Sequence, residues 1–236
     1  MDHFVYKIDS ISKSFGALNV LKNVTLEIQS GSIVICIGVN GAGKTTFFKI
    51  LCGLLKADSG SFYKKTAKSS QPSSVDVIGY CPQEISIWPD LTCREQMIMV
   101  ARLNGMNASK SKEQVNGLLN RLQLTSKADT LASKLSGGMK RRLNLGLALV
   151  HEPEFCILDE PLDGVDLHGR KFIRDYINEI SSQKKQTIIM STHIMEEALY
   201  LNGIIVLFKN GEVIIFKSQN EFSDRISEDF LMEKAI

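Results

Sequence analysis

Ile33-Val34-Ile35-Cys36-Ile37 runs straight into Gly38-Val39-Asn40-Gly41-Ala42-Gly43-Lys44-Thr45-Thr46, and this junction decides the fold. The first five residues are apolar and mostly β-branched, the composition of a buried strand. The stretch that follows places Gly38 four residues ahead of Gly43-Lys44-Thr45, the pattern of a phosphate-holding loop. Glycine lets the backbone curl, so that successive N–H groups face one concavity and bind phosphate oxygens. Lys44 is expected to reach the β- and γ-phosphates, and the Thr45 hydroxyl to take the accompanying Mg²⁺. Residues 46–55 read as a helix whose positive end faces the same phosphates. A chance glycine-rich turn would need neither the strand before it nor the lysine, hydroxyl and helix after it. The chain is therefore expected to bind a nucleoside triphosphate through Gly38, Asn40, Gly41, Ala42, Gly43, Lys44, Thr45 and Thr46.

Working outward, residues 4–8 and 24–29 read as strands, with turns at Ser14-Phe15-Gly16 and at Asn23. Residues 61–63 form a short strand, and the polar tract 64–74, with Lys64, Lys65 and Lys68, reads as a solvated hairpin loop. Residues 75–81 are again strand-like. From Leu91 to about Val150, Leu, Met, Ala and Arg recur at helical spacing, as in Met97, Val100, Ala101 and then Val115, Leu118, Leu119, Leu122. Met97, Met99 and Met106 read as core packing. Apolar strands return at 155–158, 187–191, 203–208 and 212–216, separated by helices near 169–182 and from Met195, and Asn210-Gly211 marks a hairpin. Strands alternating with helices predict an α/β fold with a mainly parallel sheet. Ligands in such sheets sit beyond the carboxyl ends of the strands, where the loop after Ile37, Asp159-Glu160 and His193 can meet.

Composition sets the outer bounds. The 236 residues suffice for one substantial core, and 44% hydrophobic with 23% charged residues is ordinary for a globular protein. A net charge of +2 is too small to call for a nucleic acid partner. No stretch approaches the roughly 20 apolar residues that cross a bilayer, and the start Met1-Asp2-His3-Phe4 lacks the features of a signal peptide. Cys36, Cys52, Cys81, Cys93 and Cys156 make no C-x-x-C pair; they are expected to be reduced, with Cys36 and Cys156 as small buried hydrophobes. His151 and His168 fit no motif and are expected at the surface.

Asp159 closes the strand Phe155-Cys156-Ile157-Leu158, the position from which a carboxylate reaches a hydrated Mg²⁺. Glu160 follows where the chain turns off the strand, so its carboxylate is a candidate to orient and polarise an attacking water. Leu135-Ser136-Gly137-Gly138-Met139 precedes a long helix, with Ser136 as N-cap and two glycines leaving the tip bare. That makes a second anion site, which is unexpected in one chain unless a second copy supplies the partner surface.

Together these motifs resemble the ATP-binding subunits of ABC transporters, from about Val5 to Phe216. Gly38–Thr46 is similar to the Walker A loop, and Gln83 in Tyr80-Cys81-Pro82-Gln83-Glu84 falls on the Q-loop glutamine. Leu135 to Met139 resembles the signature sequence, and 155–160 resembles Walker B with the catalytic glutamate. Asp166 in Leu162-Asp163-Gly164-Val165-Asp166 sits on the D-loop, and His193 in Ser191-Thr192-His193 on the switch histidine. The resemblance implies a P-loop NTPase core with an N-terminal antiparallel β subdomain. It also implies a single domain over 1–236, with a helical subdomain inserted at approximately 90–150. ATP and Mg²⁺ are the implied cofactors, the metal lying near Thr45, Gln83 and Asp159. Glu160, His193 and Gln83 carry the catalytic roles, with Gln83 sensing metal and water and His193 contacting the γ-phosphate.

The resemblance further implies a head-to-tail pair with a second ATP-binding subunit, identical or related. Each nucleotide would lie between the Walker motifs of one protomer and Ser136-Gly137-Gly138 of the other, with Asp166 alongside. Phe15 aligns with the family's adenine-stacking aromatic, commonly tyrosine; a phenyl ring keeps the stacking and loses the hydroxyl. Its alternative is a core-facing turn aromatic. Met139 replaces the usual glutamine, a choice of several exporter-type branches, and Leu162 stands where threonine or serine is common. The implied function is ATP hydrolysis that powers transport through separate transmembrane permease subunits, at the cytoplasmic face of a membrane. Residues 85–89, Ile85-Ser86-Ile87-Trp88-Pro89, either dock that membrane subunit or pack the helical insert onto the sheet. The alternative function is a soluble ATP switch of the iron–sulfur assembly type.

Overall fold

Alternation of inward apolar and outward polar residues builds the first layer. A computed structural model describes residues 4–66, 73–75 and 77–223. Strand β1 (Phe4–Phe15) pairs antiparallel with β2 (Leu18–Gln29), which buries Leu21, Val24, Leu26 and Ile28 and exposes the residues between them. On its other edge β1 pairs antiparallel with β4 (Ser59–Thr66), giving the order β2-β1-β4. This is the expected N-terminal antiparallel sheet, with longer strands than predicted. The predicted turn at Asn23 is not a turn. Asn23 has φ 49° within β2, its N–H donates to the Ser12 hydroxyl at 2.9 Å, and that hydroxyl donates back to Asn23 Oδ1 at 3.0 Å. The pair absorbs the irregularity locally, and the strand runs on.

The chain divides into two compact units, residues 1–75 with 189–236, and residues 76–188. In the first, β3 (Ile33–Ile37) is buried at every position and pairs in parallel with β8 (Ile204–Lys209), from Val34 opposite Ile204 to Ile37 opposite Leu207. Burial on both faces explains the unbroken apolar run. β8 returns antiparallel into β9 (Glu212–Phe216) through the predicted Asn210-Gly211 turn, where both residues have positive φ. Phe222 is buried beyond β9 and meets the Phe216 ring edge-on at 5.2 Å. The rest of the expected tail, residues 224–236, lies outside the described residues, as do 1–3 and residues 67–72 of the expected hairpin loop. The ends of that loop do pair, Lys64 and Ser73 exchanging backbone hydrogen bonds at 2.8 and 2.9 Å.

In the second unit β5 (Ile78–Cys81) pairs in parallel with β6 (Phe155–Leu158). Helix α2 (Cys93–Leu103) starts in a capping box between Thr92 and Glu95, and α3 (Ala108–Arg121) is capped by Asn107. Met97, Ala101, Val115, Leu118, Leu119 and Leu122 are buried, as the spacing predicted, whereas Val100 of the same stripe is only half-buried. Met97 is core, whereas Met99 and Met106 are only half-buried. Helix α4 (Gly137–Leu149) presses close at Gly146, where a Cβ would lie 2.7 Å from Leu122 Cδ1. Helix α5 (Leu167–Lys184) completes the unit and is capped by Asp166. Strand β7 (Thr187–Ser191) is fully buried. Among the described residues no helix is long and apolar enough to cross a membrane.

All five cysteines are free thiols. Burial pushes the Cys81 and Cys156 thiols up to about 12, so both are inert at neutral pH. His168 is exposed, but His151 is half-buried, contrary to the expectation of a surface residue. It follows α4, whose packed end draws the imidazole partly out of water.

Candidate nucleotide site

In the first unit the phosphate loop owes its shape to two close approaches. Gly38 has φ 150°, and a Cβ there would lie 2.6 Å from the Phe208 carbonyl oxygen. Gly43 has φ 102°, with a Cβ 2.9 Å from the Val20 carbonyl oxygen and 3.0 Å from Leu21 Cδ2. Only glycine lets the loop lie against β8 on one side and β2 on the other. Helix α1 (Lys44–Leu51) starts at Gly43 with no side-chain cap and no acidic residue in its first turn. Nothing negative on the helix therefore competes for its positive end. The helix stops four residues before the predicted Leu55, because Gly53 takes φ 70° and the Leu54 N–H bonds back to the Lys49 carbonyl.

Lys44 is buried, at 7% exposure. Its ammonium donates to the carbonyls of Gly38 at 2.7 Å and Val39 at 3.2 Å, so the loop's own backbone solvates the charge. Thr45 and Thr46 follow in the first turn of α1. Phe15, half exposed, has the Lys13 ammonium 5.5 Å from its ring centroid, and Lys13 in turn bonds Asp58 at 2.7 Å. The ring is at the surface rather than facing the core, which removes the alternative reading of a buried turn aromatic.

His193 is exposed just beyond β7. It shares with Ile37, Gly38 and Asn40 a cavity of about 570 Å³ that Ile194 and Met195 help to line. The predicted histidine and the start of the phosphate loop are thus brought together. Two residues missed in the sequence hold this loop. Thr192 donates its backbone N–H to the Cys36 carbonyl at 3.1 Å, and its hydroxyl donates to Glu197 Oε2 at 2.6 Å and accepts the Ile194 N–H at 3.1 Å. Glu197, at the start of α6 (Met195–Tyr200), is 3% exposed. Its only sequence signal was an acid in a short helix after the histidine.

In the second unit Asp159 and Glu160 are buried, at 1% and 6% exposure, rather than forming an exposed acidic turn. The Asp159 N–H donates to the Cys81 carbonyl at 2.8 Å, holding the end of β6 level with β5. Glu160 has φ 50°, uncommon for a residue with a side chain, and this is how the chain leaves the strand. Leu162 is buried and serves packing. Gln83 is exposed, and its carbonyl accepts from Arg141 at 2.5 Å. Ser136 caps α4 by accepting the Met139 N–H at 3.3 Å, Gly137 has open space around it, and Gly138 lies beside the Gly164 carbonyl. Asp166 spends Oδ1 on the Gly169 N–H at 2.7 Å, which caps α5. Ile85 and Trp88 are exposed, whereas Ile87 between them is half-buried; the Trp88 backbone is held by buried Gln96.

A model of the ABC transporter family matches residues 21–163. The chain belongs to that family. It is similar to the protein of Chlorella vulgaris named probable sulfate/thiosulfate import ATP-binding protein CysA, at 35% identity over 95% of both chains. It is also 31% identical to the linearmycin resistance ATP-binding protein LnrL of Bacillus subtilis, over 97% of this chain and 74% of that one. The Nod factor export ATP-binding protein I of Paraburkholderia xenovorans is 35% identical over 91% of this chain and 71% of its own length. Among solved structures, an ATP-binding subunit of an ABC transporter superposes with TM-score 0.80 at 25% identity, over 94% of this chain and 93% of the other. A nucleotide-free ABC transporter cassette gives 0.83 over 99% of both, at 23% identity, which shows a shared fold.

This ABC cassette is an ATP-binding, ATP-hydrolysing subunit of a transporter, and transport rather than the soluble-switch alternative is what its relatives support. Import and export names occur among them at the same identity, so identity alone does not set the direction.

Proposed function

We propose that the cassette hydrolyses Mg²⁺-ATP at a composite site and works as a head-to-tail pair, peripheral to a membrane through separate transmembrane subunits. The observation that carries the reading is Lys44, a buried ammonium resting on the carbonyls of the loop it serves. Two of its three donors are spent on Gly38 and Val39. A bound triphosphate offers it anionic oxygens, and charge-assisted bonds of that kind are roughly twice as strong as neutral ones. Phe15 would stack the adenine on the ring face away from Lys13. Gly38, Asn40, Gly41, Ala42, Gly43, Thr45 and Thr46 would supply the loop and helix-end contacts.

The Thr45 hydroxyl, the Gln83 amide oxygen and the Asp159 carboxylate are all oxygen donors, the set a hard divalent cation prefers, so the residues fit Mg²⁺. When bound, the ion neutralises phosphate charge. Glu160 would accept the proton of the attacking water, as the bond from the γ-phosphorus to the leaving diphosphate oxygen breaks. His193 would donate to the γ-phosphate oxygens. Ser136, Gly137 and Gly138 of a second protomer, or of a related subunit, would close over that phosphate, with Asp166 next to them. Hydrolysis then removes the bridge between protomers. Exposed Ile85 and Trp88, three residues apart in the chain, are proposed as the contact with the membrane subunit. The Met139-Lys140-Arg141-Arg142 form of the signature favours export.

The test uses the full chain carrying Glu160→Gln, with ATP and Mg²⁺, in light scattering after size exclusion. A dimer that forms only with nucleotide is expected. A strict monomer, with and without the detergent-solubilised partner that co-purifies with the wild type, overturns the head-to-tail reading.

A further inference from the structure

Arg141 is a buried cation that none of the motifs explains, at 6% exposure in the second turn of α4. Its guanidinium spans two loops of the same unit. Nη1 donates to the Gln83 carbonyl at 2.5 Å and lies 3.4 Å from that of Pro82. Nε donates to the Asp163 carbonyl at 3.2 Å, and Nη2 stands 3.9 Å from the Asp163 carboxylate. Three residues on, and so on the same helix face, Asn144 is 2% exposed. Its amide nitrogen donates to the Pro82 carbonyl at 3.1 Å and to Cys81 Sγ at 3.3 Å, while its Oδ1 accepts the Ser86 N–H at 3.1 Å.

A guanidinium is a rigid plane with five donors, so it fixes the acceptors on its two edges relative to each other; a lysine ammonium on a flexible stem does not. Most of the acceptors here are backbone carbonyls, which fixes the path of the chain rather than one side chain. One path is Cys81 to Ser86, carrying Gln83. The other is the turn from Glu160 to Asp163, whose ends are tied by the Asp163 N–H to the Glu160 carbonyl at 3.2 Å. The helix bearing both Arg141 and Asn144 begins at the Ser136-Gly137-Gly138 tip.

We propose that Arg141 and Asn144 are positioning residues that clamp the Gln83 loop and the Glu160–Asp163 turn to the signature helix, and so set where Gln83 and Glu160 stand relative to it. The inference rests on the roles of Gln83 and Glu160 proposed above. Arg141 and Asn144 act through the loops they hold.

The test is a double-mutant cycle in the full chain, reading steady-state hydrolysis against ATP and against Mg²⁺. Arg141→Lys should lower kcat by about 10-fold or more, the usual scale for a supporting partner. It should change KM for ATP by less than ~3-fold and raise the Mg²⁺ concentration needed for half the maximal rate. In a Gln83→Ala background the same substitution should cost several-fold less than in the wild type, because one of the two loops it positions has lost its acting group. Losses that multiply independently in the double variant, or that fall on KM with kcat unchanged, overturn the clamp. Should Arg141→Lys not fold, Asn144→Ala runs the same cycle with the same two outcomes. An active wild type with multiplying losses sinks the clamp alone, whereas a wild type that never hydrolyses ATP sinks the underlying ATPase reading as well.

Discussion

The Thr192 hydroxyl donates to the buried carboxylate of Glu197 at 2.6 Å, and His193 is the residue that leaves Thr192. The same hydroxyl accepts the Ile194 N–H, so the peptide on the far side of the histidine is fixed by one oxygen. Thr192→Val keeps the shape and deletes both bonds, leaving a buried carboxylate short of a partner. A stability loss of about 1–3 kcal/mol is expected, with lower kcat and little change in ATP affinity. Urea unfolding with parallel hydrolysis assays checks it; an unchanged kcat would detach this pair from His193.

Gly43→Ala is expected to weaken nucleotide binding. Its Cβ would meet backbone at 2.9 Å, and φ 102° is a region side chains avoid. The strain is on the order of 1–3 kcal/mol, released only by moving the loop off β2. Gly41→Ala makes a control, since φ is 82° but nothing lies within 4 Å. Fluorescent-ATP titration should find Gly43→Ala the weaker binder and the less stable protein.

Replacing Glu160 by Gln should lower kcat by about 10²- to 10⁴-fold, the range for a general base. The amide is isosteric and can keep φ 50°, so thermal unfolding should stay near the wild-type value. ATP binding should persist. Hydrolysis at the wild-type rate would remove Glu160 from the chemistry.

Trp88→Ala should leave stability and ATP affinity nearly unchanged, because the residue is 46% exposed and Gln96 holds its backbone. Transport in reconstituted vesicles should fall several-fold. Equal loss of transport and of stability would return Trp88 to a packing role.

His151 should add a pH dependence to stability. Burial holds its imidazole below the ordinary 6.5, against a smaller opposing effect of its hydrogen bond to the Ile78 backbone. As pH falls below 6.5 the unfolded chain takes up the proton first, so stability drops through the folded value and is unaffected well above 6.5. Glu152, held below its usual range by Lys184 and Lys110 despite burial, acts in the same direction but only below about 4.5. His151→Gln should flatten the urea midpoint between pH 5 and 7 and leave the more acidic slope.

Much of the fold was legible along the chain because burial on both faces leaves unbroken apolar runs, as in β3 and β6. Element ends were less so. Asn23 carries a turn residue's signal, yet Ser12, far away in sequence, turns it into a strand irregularity. The end of α1 depended on Gly53 closing the helix, which periodicity does not register. Glu197, Asn144 and Arg141 were invisible as site-supporting residues, since their roles consist of bonds to residues 5 to 63 positions away.

By itself the sequence determined the phosphate loop, the carboxylate pair after β6, the glycine-tipped helix and the family, because each is a local pattern of residue types. Tertiary structure alone decided which groups are buried and what holds them. The Lys44 ammonium is solvated by its own loop, Glu160 is forced into a left-handed turn, and one guanidinium ties Gln83 to Asp163. Local order can name a chemical group, but its desolvation and orientation come from neighbours that only folding brings near.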